Sequence, residues 1–370
     1  MRYYLIAGER SGDLHGSNLI RGIRKEDPEA EVRGWGGDLM EAQGMQLVKH
    51  YRETAFMGFL EVVRNLTTIQ KLISDCKKDI LAFRPDALIL IDYPGFNLRM
   101  AAFAKKHGIK VLYYISPKVW AWKERRALTI RRVVDRMYVI FPFEIDFYKK
   151  YDYEVEYVGN PLMDAISSFQ PNPNFRAKNG LSDRPVIAIL PGSRVQELKG
   201  MLETMLSIHR DFPEYQWVIA GVSNLDKKLY EPYIGQPGVS IVYDSTYDLL
   251  HIASAALVTS GTATLETALF RVPEVVCYRT SGITYQIAKF LIKVRFISLV
   301  NLIVDREIVR ELIQHDFNPD TLRDELRKIL PGGEKRKTMQ AEYQELAERV
   351  GGPGASEKAG RLMVSQVRRR

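Results

Sequence analysis

The chain has 370 residues, of which 46% are hydrophobic and 26% charged, with a net charge of +8 and only two cysteines, Cys76 and Cys277. This composition suits a globular protein of two or at most three domains and excludes a disordered chain, a collagen-like repeat and a disulfide-stapled secreted fold. The positive charge is concentrated in residues 118–136, at +5, and residues 355–370, at +4, so we expect a local anionic partner. We expect both thiols to be buried and inert in a reducing cytoplasm.

The sequence predicts neither a secretory signal nor a membrane-spanning helix. The first seven residues run directly into the polar turn Gly8-Glu9, unlike a signal peptide. The longest uncharged stretch, residues 249–265, is shorter and more polar than the run of about 20 apolar residues that spans a bilayer. We therefore expect a soluble or peripheral protein.

Short apolar runs alternate with longer stretches of helical periodicity, which is typical of parallel α/β proteins. In the first half the predicted strands are Tyr3–Ala7, Ala87–Ile91, Val111–Ile115, Met137–Phe141 and Val155–Val158. In the second half they are Val186–Leu190, Trp217–Ala220, Val239–Tyr243, Ala256–Thr259 and Val275–Tyr278. The pattern predicts two doubly wound, Rossmann-like domains that face a cleft, with ligands beyond the carboxyl ends of the strands.

The domain boundaries follow from a break in this alternation. The Pro- and Asn-rich run at residues 170–174 has neither periodicity and predicts a linker. We therefore predict a first domain over residues 1–168, a linker over 169–184, a second domain over 185–345 and a tail over 346–370. The tail contains a short helical pattern that we expect to pack back on the first domain.

The turn after the first predicted strand, residues 7–13, reads Ala-Gly-Glu-Arg-Ser-Gly-Asp. Its glycines permit close approach of the backbone, and the following helix N-terminus offers free N–H groups to an anion. The spacing differs from the GxGxxG dinucleotide fingerprint. The alternative interpretation is a capped turn, with Ser11 or Asp13 as the N-cap.

The strand Ala87–Ile91 ends at Asp92, in the run Asp-Tyr-Pro-Gly-Phe-Asn. A carboxylate at this end of a strand is well placed as a general base if partial burial raises its pKa. The alternative is that Asp92 caps the next helix.

Trp120 and Trp122 lie beside Lys123 and Arg125 in the basic segment. Aromatic rings that contact apolar surface, together with cations that bind phosphate, suit a phosphorylated amphiphile or sugar as the ligand. The same mixture could bind RNA by stacking and charge, and a structural interpretation buries the tryptophans.

The apolar residues of segment 51–73, including Met57 and Phe59, could enter a membrane interface, hold acyl chains or form a core helix. The same alternatives apply to segment 287–296.

The second half contains two candidate phosphate loops, each directly after a predicted strand. Leu190-Pro191-Gly192-Ser193-Arg194 combines a permissive glycine, a helix N-terminus and an arginine, and Glu197 either faces the ligand or caps the helix. The second loop is the run Ser260-Gly261-Thr262-Ala263-Thr264-Leu265-Glu266, in which Glu266 could accept hydrogen bonds from ribose hydroxyls. Together the loops predict nucleotide binding.

Metal and serine-hydrolase chemistry are not predicted. The six histidines are scattered, with no HExxH or H-x₃₋₅-H spacing, and there is no D-x-D triplet or G-x-S-x-G elbow. We expect no metal or other cofactor, so that Arg194 and backbone dipoles would meet the charge of a leaving diphosphate.

These motifs in this order closely resemble the bacterial lipid-A-disaccharide synthase family, family-19 glycosyltransferases of the GT-B fold. The resemblance runs from the first strand to about residue 315. It rests on Ala7–Asp13, Met57–Val62, Ile91–Asn97, Ser116–Trp122, Leu190–Arg194, Ser260–Glu266 and Ser298–Leu302. The run Ser-Pro-x-Val-Trp-Ala-Trp is the most specific of them.

The resemblance implies that UDP-2,3-diacylglucosamine and 2,3-diacylglucosamine 1-phosphate are joined, with inversion, into a β-1,6-linked disaccharide phosphate, with UDP released. Asp92 matches the family's essential acid and Arg194 its essential arginine, which would bind the UDP phosphates. Glu266 would lie on the ribose and Asn301 near the sugar or uracil. The other donor-side candidates are Gly192, Ser193, Glu197, Ser260, Gly261, Thr262 and Arg279, and the acceptor- and lipid-side candidates are Glu9, Ser11, Met57, Phe59, Asn97, Trp120, Trp122, Lys123 and Arg125.

The resemblance also implies the partners. These are acylated glucosamine substrates and the cytoplasmic surface of the inner membrane, which the first domain would face as a peripheral protein, with a homodimer possible and no nucleic acid. Two positions depart from the family pattern: Gly95 stands where a second acid is frequent, and Asn160 where histidine is common. The alternatives are another UDP-hexosamine transferase or epimerase of the same fold, or a non-enzymatic RNA-binding protein.

Overall fold

The computed structural model describes residues 1–53, 66–122, 124–193, 195–223, 225–280 and 295–369. The predicted lipid-side residues Met57, Phe59 and Lys123, the catalytic candidate Arg194 and most of segment 287–296 lie outside these ranges. The chain divides into two compact units. The first comprises Met1–Asp164 and Gly351–Arg370, and the second Ala165–Val350.

The first unit is a parallel sheet with helices in the crossovers. Its strands are β1 (Arg2–Ala7), β2 (Glu31–Gly36), β3 (Gln46–His50), β4 (Ala87–Ile91), β5 (Lys110–Tyr114), β6 (Arg136–Val139) and β7 (Glu156–Tyr157). Its helices are α1 (Arg10–Glu26), α2 (Asp38–Ala42), α3 (Leu66–Phe83), α4 (Pro94–Lys106), α5 (Val119–Trp122), α6 (Arg126–Val133), α7 (Phe143–Lys149) and α8 (Pro161–Ser167, which the unit boundary divides), with α16 (Ala355–Arg368) from the C-terminal segment. Among the described residues the strand order is β3-β2-β1-β4-β5-β6-β7, and all pairs are parallel.

The second unit repeats this architecture. Its strands are β8 (Val186–Leu190), β9 (Gln216–Gly221), β10 (Val239–Tyr243), β11 (Ala253–Thr259), β12 (Glu274–Tyr278) and β13 (Arg310–Ile313). Its helices are α9 (Phe175–Lys178), α10 (Val195–Leu206), α11 (Thr246–Ile252), α12 (Thr262–Leu269), α13 (Leu299–Val304), α14 (Pro319–Ile329) and α15 (Arg336–Val350). Within the described ranges the order is β10-β9-β8-β11-β12-β13, again parallel throughout.

The predicted α/β class is confirmed, with one doubly wound sheet in each unit. Strands covered on both faces read as continuous apolar runs, and β4 and β8, which are almost completely buried, have the predicted bounds. Three further strands, β2, β3 and β13, were not predicted. Glycine or charged residues interrupt their sequences, which are Glu-Val-Arg-Gly-Trp-Gly, Gln-Leu-Val-Lys-His and Arg-Glu-Leu-Ile. Among the described strands, β3 and β13 each lie at one edge of their sheet.

The segment predicted as a linker is packed into the second unit. Phe175 and Leu181 belong to its hydrophobic core, and the ring of Phe169 lies edge-on to Tyr247 and Phe270, with centroid distances of 5.7 and 5.6 Å. Residues 169–184 are therefore part of this unit, since burying these rings is more favourable than leaving them in water.

The C-terminal helix α16 packs along α1 in the first unit. Asp164 fixes its start, because the Asp164 carboxylate accepts hydrogen bonds from the N–H groups of Gly354 and Ser356, the latter at 3.0 Å. Such a carboxylate satisfies the free N–H groups of a helix N-terminus and its partial positive charge. Across the described ranges of the chain, no helix has the length and hydropathy that crossing a membrane requires.

Candidate active site

Asp92 lies directly after β4, at the carboxyl edge of the first sheet. Its backbone is left-handed, with φ of 43°, and that of Tyr93 is also left-handed, with φ of 52°. Asp92 donates its N–H to the carbonyl oxygen of Tyr114 at 3.1 Å. Its own carbonyl oxygen accepts from Asn97 Nδ2 at 2.7 Å and from the Tyr113 hydroxyl at 2.5 Å. Three hydrogen bonds thus hold the backbone of this residue.

The electrostatic surroundings of Asp92 favour a proton acceptor. Burial, as the largest cause, and the negative charge of Glu9 raise the pKa of its half-buried carboxyl, Lys118 and the N–H of Tyr93 lower it, and the net result is a rise from 3.8 to about 6. A carboxyl with this pKa is ionised at neutral pH and more basic than an ordinary aspartate. The geometry therefore permits Asp92 to act as a general base.

The turn before α1 contacts the turn that carries Asp92. Gly8 lies against the Tyr93 ring so closely that a Cβ atom on Gly8 would stand 2.4 Å from the ring carbons. Glu9 and Ser11 are exposed, as a ligand contact requires. Neither Ser11 nor Asp13 is the N-cap of α1, because the N-cap position is occupied by Glu9, whose side chain makes no capping hydrogen bond.

Asp13 caps a different helix. Its buried carboxylate accepts from the N–H groups of Gly37, Leu39 and Met40, at 2.8–3.1 Å, at the start of α2. The predicted cap was therefore assigned to the wrong helix. The residues that Asp13 binds are more than 20 positions away in the sequence, which local capping rules do not address.

Asn97, predicted to contact the acceptor, is instead fully buried. Its Nδ2 donates to the carbonyl oxygens of Ile6, Ile91 and Asp92, at 3.4, 3.2 and 2.7 Å. Asn97 thereby ties the carboxyl ends of β1 and β4 together and holds Asp92.

The two departures from the family pattern both follow strands of this sheet, β4 and β7, and so lie toward its carboxyl edge. Gly95 is exposed in the first turn of α4, and a Cβ atom there would meet nothing within 4 Å. Asn160 is buried, and its Oδ1 accepts from the Leu162 N–H at 3.0 Å at the start of α8.

The Trp120 side chain packs within the first unit, and its predicted lipid contact stays a prediction. It is 7% exposed, and its ring lies edge-on to Phe143 with a centroid distance of 5.0 Å. In the same cluster the hydroxyls of Ser116 and Tyr148 are 2.8 Å apart. Burial raises the pKa of the neighbouring Glu144 to about 7. The Trp122 side chain lies outside the described part, and Arg125 is exposed before α6.

The first candidate phosphate loop of the second unit lies at the carboxyl end of β8, as predicted. Gly192 lies two residues after the end of β8 and has φ of 98°, a conformation that favours glycine. Ser193 is exposed, and α10 begins at Val195. Because Arg194 and the Glu197 side chain lie outside the described residues, their roles stay predictions.

The second loop leads into α12, which begins at Thr262, and its N-cap position is Gly261, which has no side chain to cap the helix. The Ser260 hydroxyl donates to the carbonyl oxygen of Ile297 at 2.9 Å, which ties the loop to the segment before α13. Glu266, one turn into α12, accepts from the Tyr247 hydroxyl at 3.0 Å, and burial raises its pKa. Tyr247 was not predicted, because no local motif marks it.

Two predicted donor-side residues are engaged within the unit. Arg279 donates to Thr204 Oγ1 at 2.9 Å and to the carbonyl oxygen of Phe317. Asn301 is fully buried, and its Nδ2 donates to the Val309 carbonyl and to Glu311 Oε1, both at 2.9 Å.

The Asn301 Oδ1 accepts from the N–H groups of Ile308 and Val309. The amide therefore has no hydrogen-bonding group left for a ligand, and it holds the Ser298–Leu302 motif in place. Glu311 on β13 completes this support, since it also accepts from the N–H and hydroxyl of Ser298. Sequence reasoning missed Glu311, because the strand that carries it was not predicted.

Among the described residues, no group of three or more His, Cys, Asp or Glu side chains is arranged to hold a metal ion.

The family model described as lipid-A-disaccharide synthetase matches residues 3–364. The curated lipid-A-disaccharide synthase of Syntrophus aciditrophicus is 38% identical to this chain over 373 residues, which cover 99% of the chain and 97% of that protein. The corresponding protein of Trichlorobacter lovleyi is 36% identical with the same coverage. The solved structure of UDP-GlcNAc 2-epimerase from Neisseria meningitidis superposes with a TM-score of 0.69 over the whole of both chains at 13% identity, a likeness of fold alone. The chain thus has the two Rossmann-like units of the GT-B fold.

Proposed function

The chain belongs to the lipid-A-disaccharide synthetase family and is a glycosyltransferase of lipid A biosynthesis, and we propose that it transfers an acylated glucosamine with inversion. The donor is UDP-2,3-diacylglucosamine and the acceptor is 2,3-diacylglucosamine 1-phosphate. The products are the β-1,6-linked disaccharide 1-phosphate and UDP. The observation that carries this proposal is the half-buried Asp92, with its pKa raised to about 6, at the carboxyl edge of the first sheet.

In the proposed step, Asp92 accepts the proton of the acceptor 6-hydroxyl. The freed electron pair of O6 attacks the anomeric carbon of the donor from the face opposite UDP. As the new C–O bond forms, the bond from the anomeric carbon to the diphosphate oxygen breaks, and its electron pair leaves with UDP. The α-linked donor therefore gives a β-linked product. One base suffices, so a second acid at the position of Gly95 is not needed.

On the donor side, we assign the leaving diphosphate to the two loops of the second unit. Arg194 supplies positive charge, and the starts of α10 and α12 supply N–H groups and the positive ends of helix dipoles. Glu266, held by Tyr247, is placed to accept hydrogen bonds from the ribose. These groups can stabilise the leaving charge, so we propose that no metal ion takes part.

The proposal is tested by assaying disaccharide formation with Asp92→Ala and Arg194→Ala, in the presence of EDTA. Arg210→Ala, which removes an exposed charge elsewhere in the second unit, is the matched control for Arg194. We expect both site variants to lose nearly all turnover, and Arg210→Ala to keep it. Full turnover by Asp92→Ala would eliminate the general-base role, and inhibition by EDTA would eliminate metal independence.

Two further measurements address substrate and location. Non-acylated UDP-N-acetylglucosamine should be a poor donor, and its efficient turnover or epimerisation would contradict the acylated substrate. We also propose that the protein binds the inner-membrane surface peripherally. Flotation with anionic but not with neutral liposomes is the expected result, and failure to float with either would contradict it.

A further inference from the structure

The backbone at Asp92 and Tyr93 adopts a conformation that non-glycine residues rarely adopt. Both residues have positive φ, at 43° and 52°. An aspartate tolerates the left-handed region, whereas a bulky residue such as tyrosine is strained there. Such a turn persists only where its surroundings hold it in place. The groups that hold Asp92 therefore determine where its carboxylate lies.

One of these groups is the hydroxyl of Tyr113, on the neighbouring strand β5. Tyr113 is paired with Leu90 in the β4–β5 register, two residues before Asp92. Its side chain is completely buried, and its hydroxyl reaches the Asp92 carbonyl oxygen at 2.5 Å. The other donor to the same oxygen is Asn97 Nδ2, at 2.7 Å. Two donors from different elements therefore converge on one peptide oxygen.

We propose that Tyr113 is a positioning residue for the glycosyl transfer: its hydroxyl fixes the peptide that follows Asp92 in the left-handed turn and so keeps the Asp92 carboxylate aimed at the acceptor. The inference rests on the proposed role of Asp92 as the base. Tyr113 does not touch substrate in this mechanism, and it acts only through the Asp92 backbone.

The hydroxyl of Tyr113 is suited to this role because it stays a neutral donor. Burial raises the pKa of Tyr113 well above its ordinary value, and the charge of Asp92 adds to the rise. The charged groups that face the Asp92 carboxyl are Glu9, before α1, and Lys118, after β5. Both act on the carboxyl, and neither donates a hydrogen bond to the Asp92 carbonyl oxygen in place of Tyr113. Without the hydroxyl, the peptide is held at this oxygen by Asn97 alone, and we expect the turn to relax toward negative φ.

Relaxation of the turn has two measurable consequences. The base moves away from the acceptor hydroxyl, which lowers kcat with little effect on the KM of the UDP donor, because donor binding belongs to the second unit. The carboxyl also becomes better solvated, so its pKa falls toward the ordinary value and the acid limb of the kcat profile moves to lower pH.

The test compares Tyr113→Phe with Tyr114→Phe. Tyr114 is the next residue of β5 and is equally buried, but its hydroxyl points to Ser356 Oγ, at 3.5 Å, instead of to Asp92. We expect Tyr113→Phe to lower kcat roughly 10- to 100-fold, since small displacements of a reacting group have effects of this size. The acid limb of its kcat profile should move to lower pH. Tyr114→Phe should keep the wild-type kcat and acid limb, even if it loses as much thermal stability.

A second variant covers the case in which the phenylalanine variant does not fold. Replacement of Tyr113 by p-aminophenylalanine keeps a donor at the same place and should retain most of the activity. The positioning role is overturned if Tyr113→Phe has the wild-type kcat and pH profile while Asp92→Asn is inactive. Equal losses of kcat in the two phenylalanine variants would also overturn it, as they would indicate a purely structural effect. Full activity of Asp92→Asn would remove the base role, and the inference with it.

Discussion

Gly22 and Gly360 bring helices α1 and α16 into backbone contact within the first unit. A Cβ atom on Gly360 would stand 2.4 Å from the carbonyl carbon of Gly22, and one on Gly22 would stand 2.6 Å from the carbonyl oxygen of Ser356. Real Cβ atoms do not approach other atoms so closely, so larger residues at these positions must push the helices apart.

Gly360→Ala is expected to destabilise the protein by about 1–3 kcal/mol, because overpacking displaces two fitted backbones. Urea unfolding followed by circular dichroism measures the change. Gly352→Ala is the control, since a Cβ atom there would meet nothing within 4 Å. If both variants unfold at the same urea concentration, the close contact does not contribute to stability.

Asp92→Asn should abolish turnover and yet stabilise the fold in mildly alkaline buffer. The folded state raises the pKa of Asp92 from 3.8 to about 6, so it binds the proton more tightly than the unfolded chain. The favourable contribution of the protonated carboxyl is present at acid pH and is lost as the pH rises through about 6. Above about pH 6 the wild type holds a half-buried, charged carboxylate beside Glu9. The neutral asparagine side chain removes this unfavourable charge. Thermal melts should therefore give a higher Tm for the variant above pH 6, and an unchanged or lower Tm would contradict the pKa assignment.

Glu9→Gln should move the acid limb of activity to lower pH. The charge of Glu9 raises the pKa of Asp92, and its removal makes the base easier to ionise. The measurement is the pH dependence of kcat/KM, whose acid limb we expect near pH 6 in the wild type. Glu41→Gln removes an equal charge from an exposed position on α2 and should leave the limb in place. Equal shifts in both variants would indicate net charge instead of a local field.

Lys118→Met should have the opposite effect to Glu9→Gln. The positive charge of Lys118 lowers the pKa of Asp92, so its loss should move the acid limb to higher pH. The same pH series measures the shift. A downward shift in this variant would show that the lysine does not act on Asp92 through its charge.

Tyr247→Phe should weaken UDP binding roughly 5- to 10-fold, as expected from the loss of one hydrogen bond to a carboxyl. The Tyr247 hydroxyl donates to Glu266, the residue that we assign to the ribose. Titration calorimetry with UDP measures the affinity. Tyr233→Phe, elsewhere in the second unit, is the control and should bind UDP normally. Unchanged affinity in the Tyr247 variant would mean that Glu266 does not depend on this bond.

Much of the fold could be predicted from the sequence because parallel strands buried on both faces have a strong local signal. The apolar runs at β4 and β8 show their bounds directly, and the position of Asp92 after β4 follows from them. The strands β2, β3 and β13 have no such signal. Glycine and charged residues interrupt their apolar runs, and they are held by pairing with neighbouring strands.

The sequence by itself determined the α/β class, the order of the chemical motifs and the family to which they belong. Only the tertiary structure decided which polar residues near the strand ends remain available to a ligand. Fold carbonyl groups engage the Asn97 Nδ2, and carbonyl, N–H and carboxylate groups engage the whole Asn301 amide. A helix more than 20 residues away engages Asp13, and the Trp120 side chain is buried within the first unit. The physical reason is that a buried polar group must find a hydrogen-bond partner, and in a doubly wound sheet that partner comes from strands and helices distant in sequence.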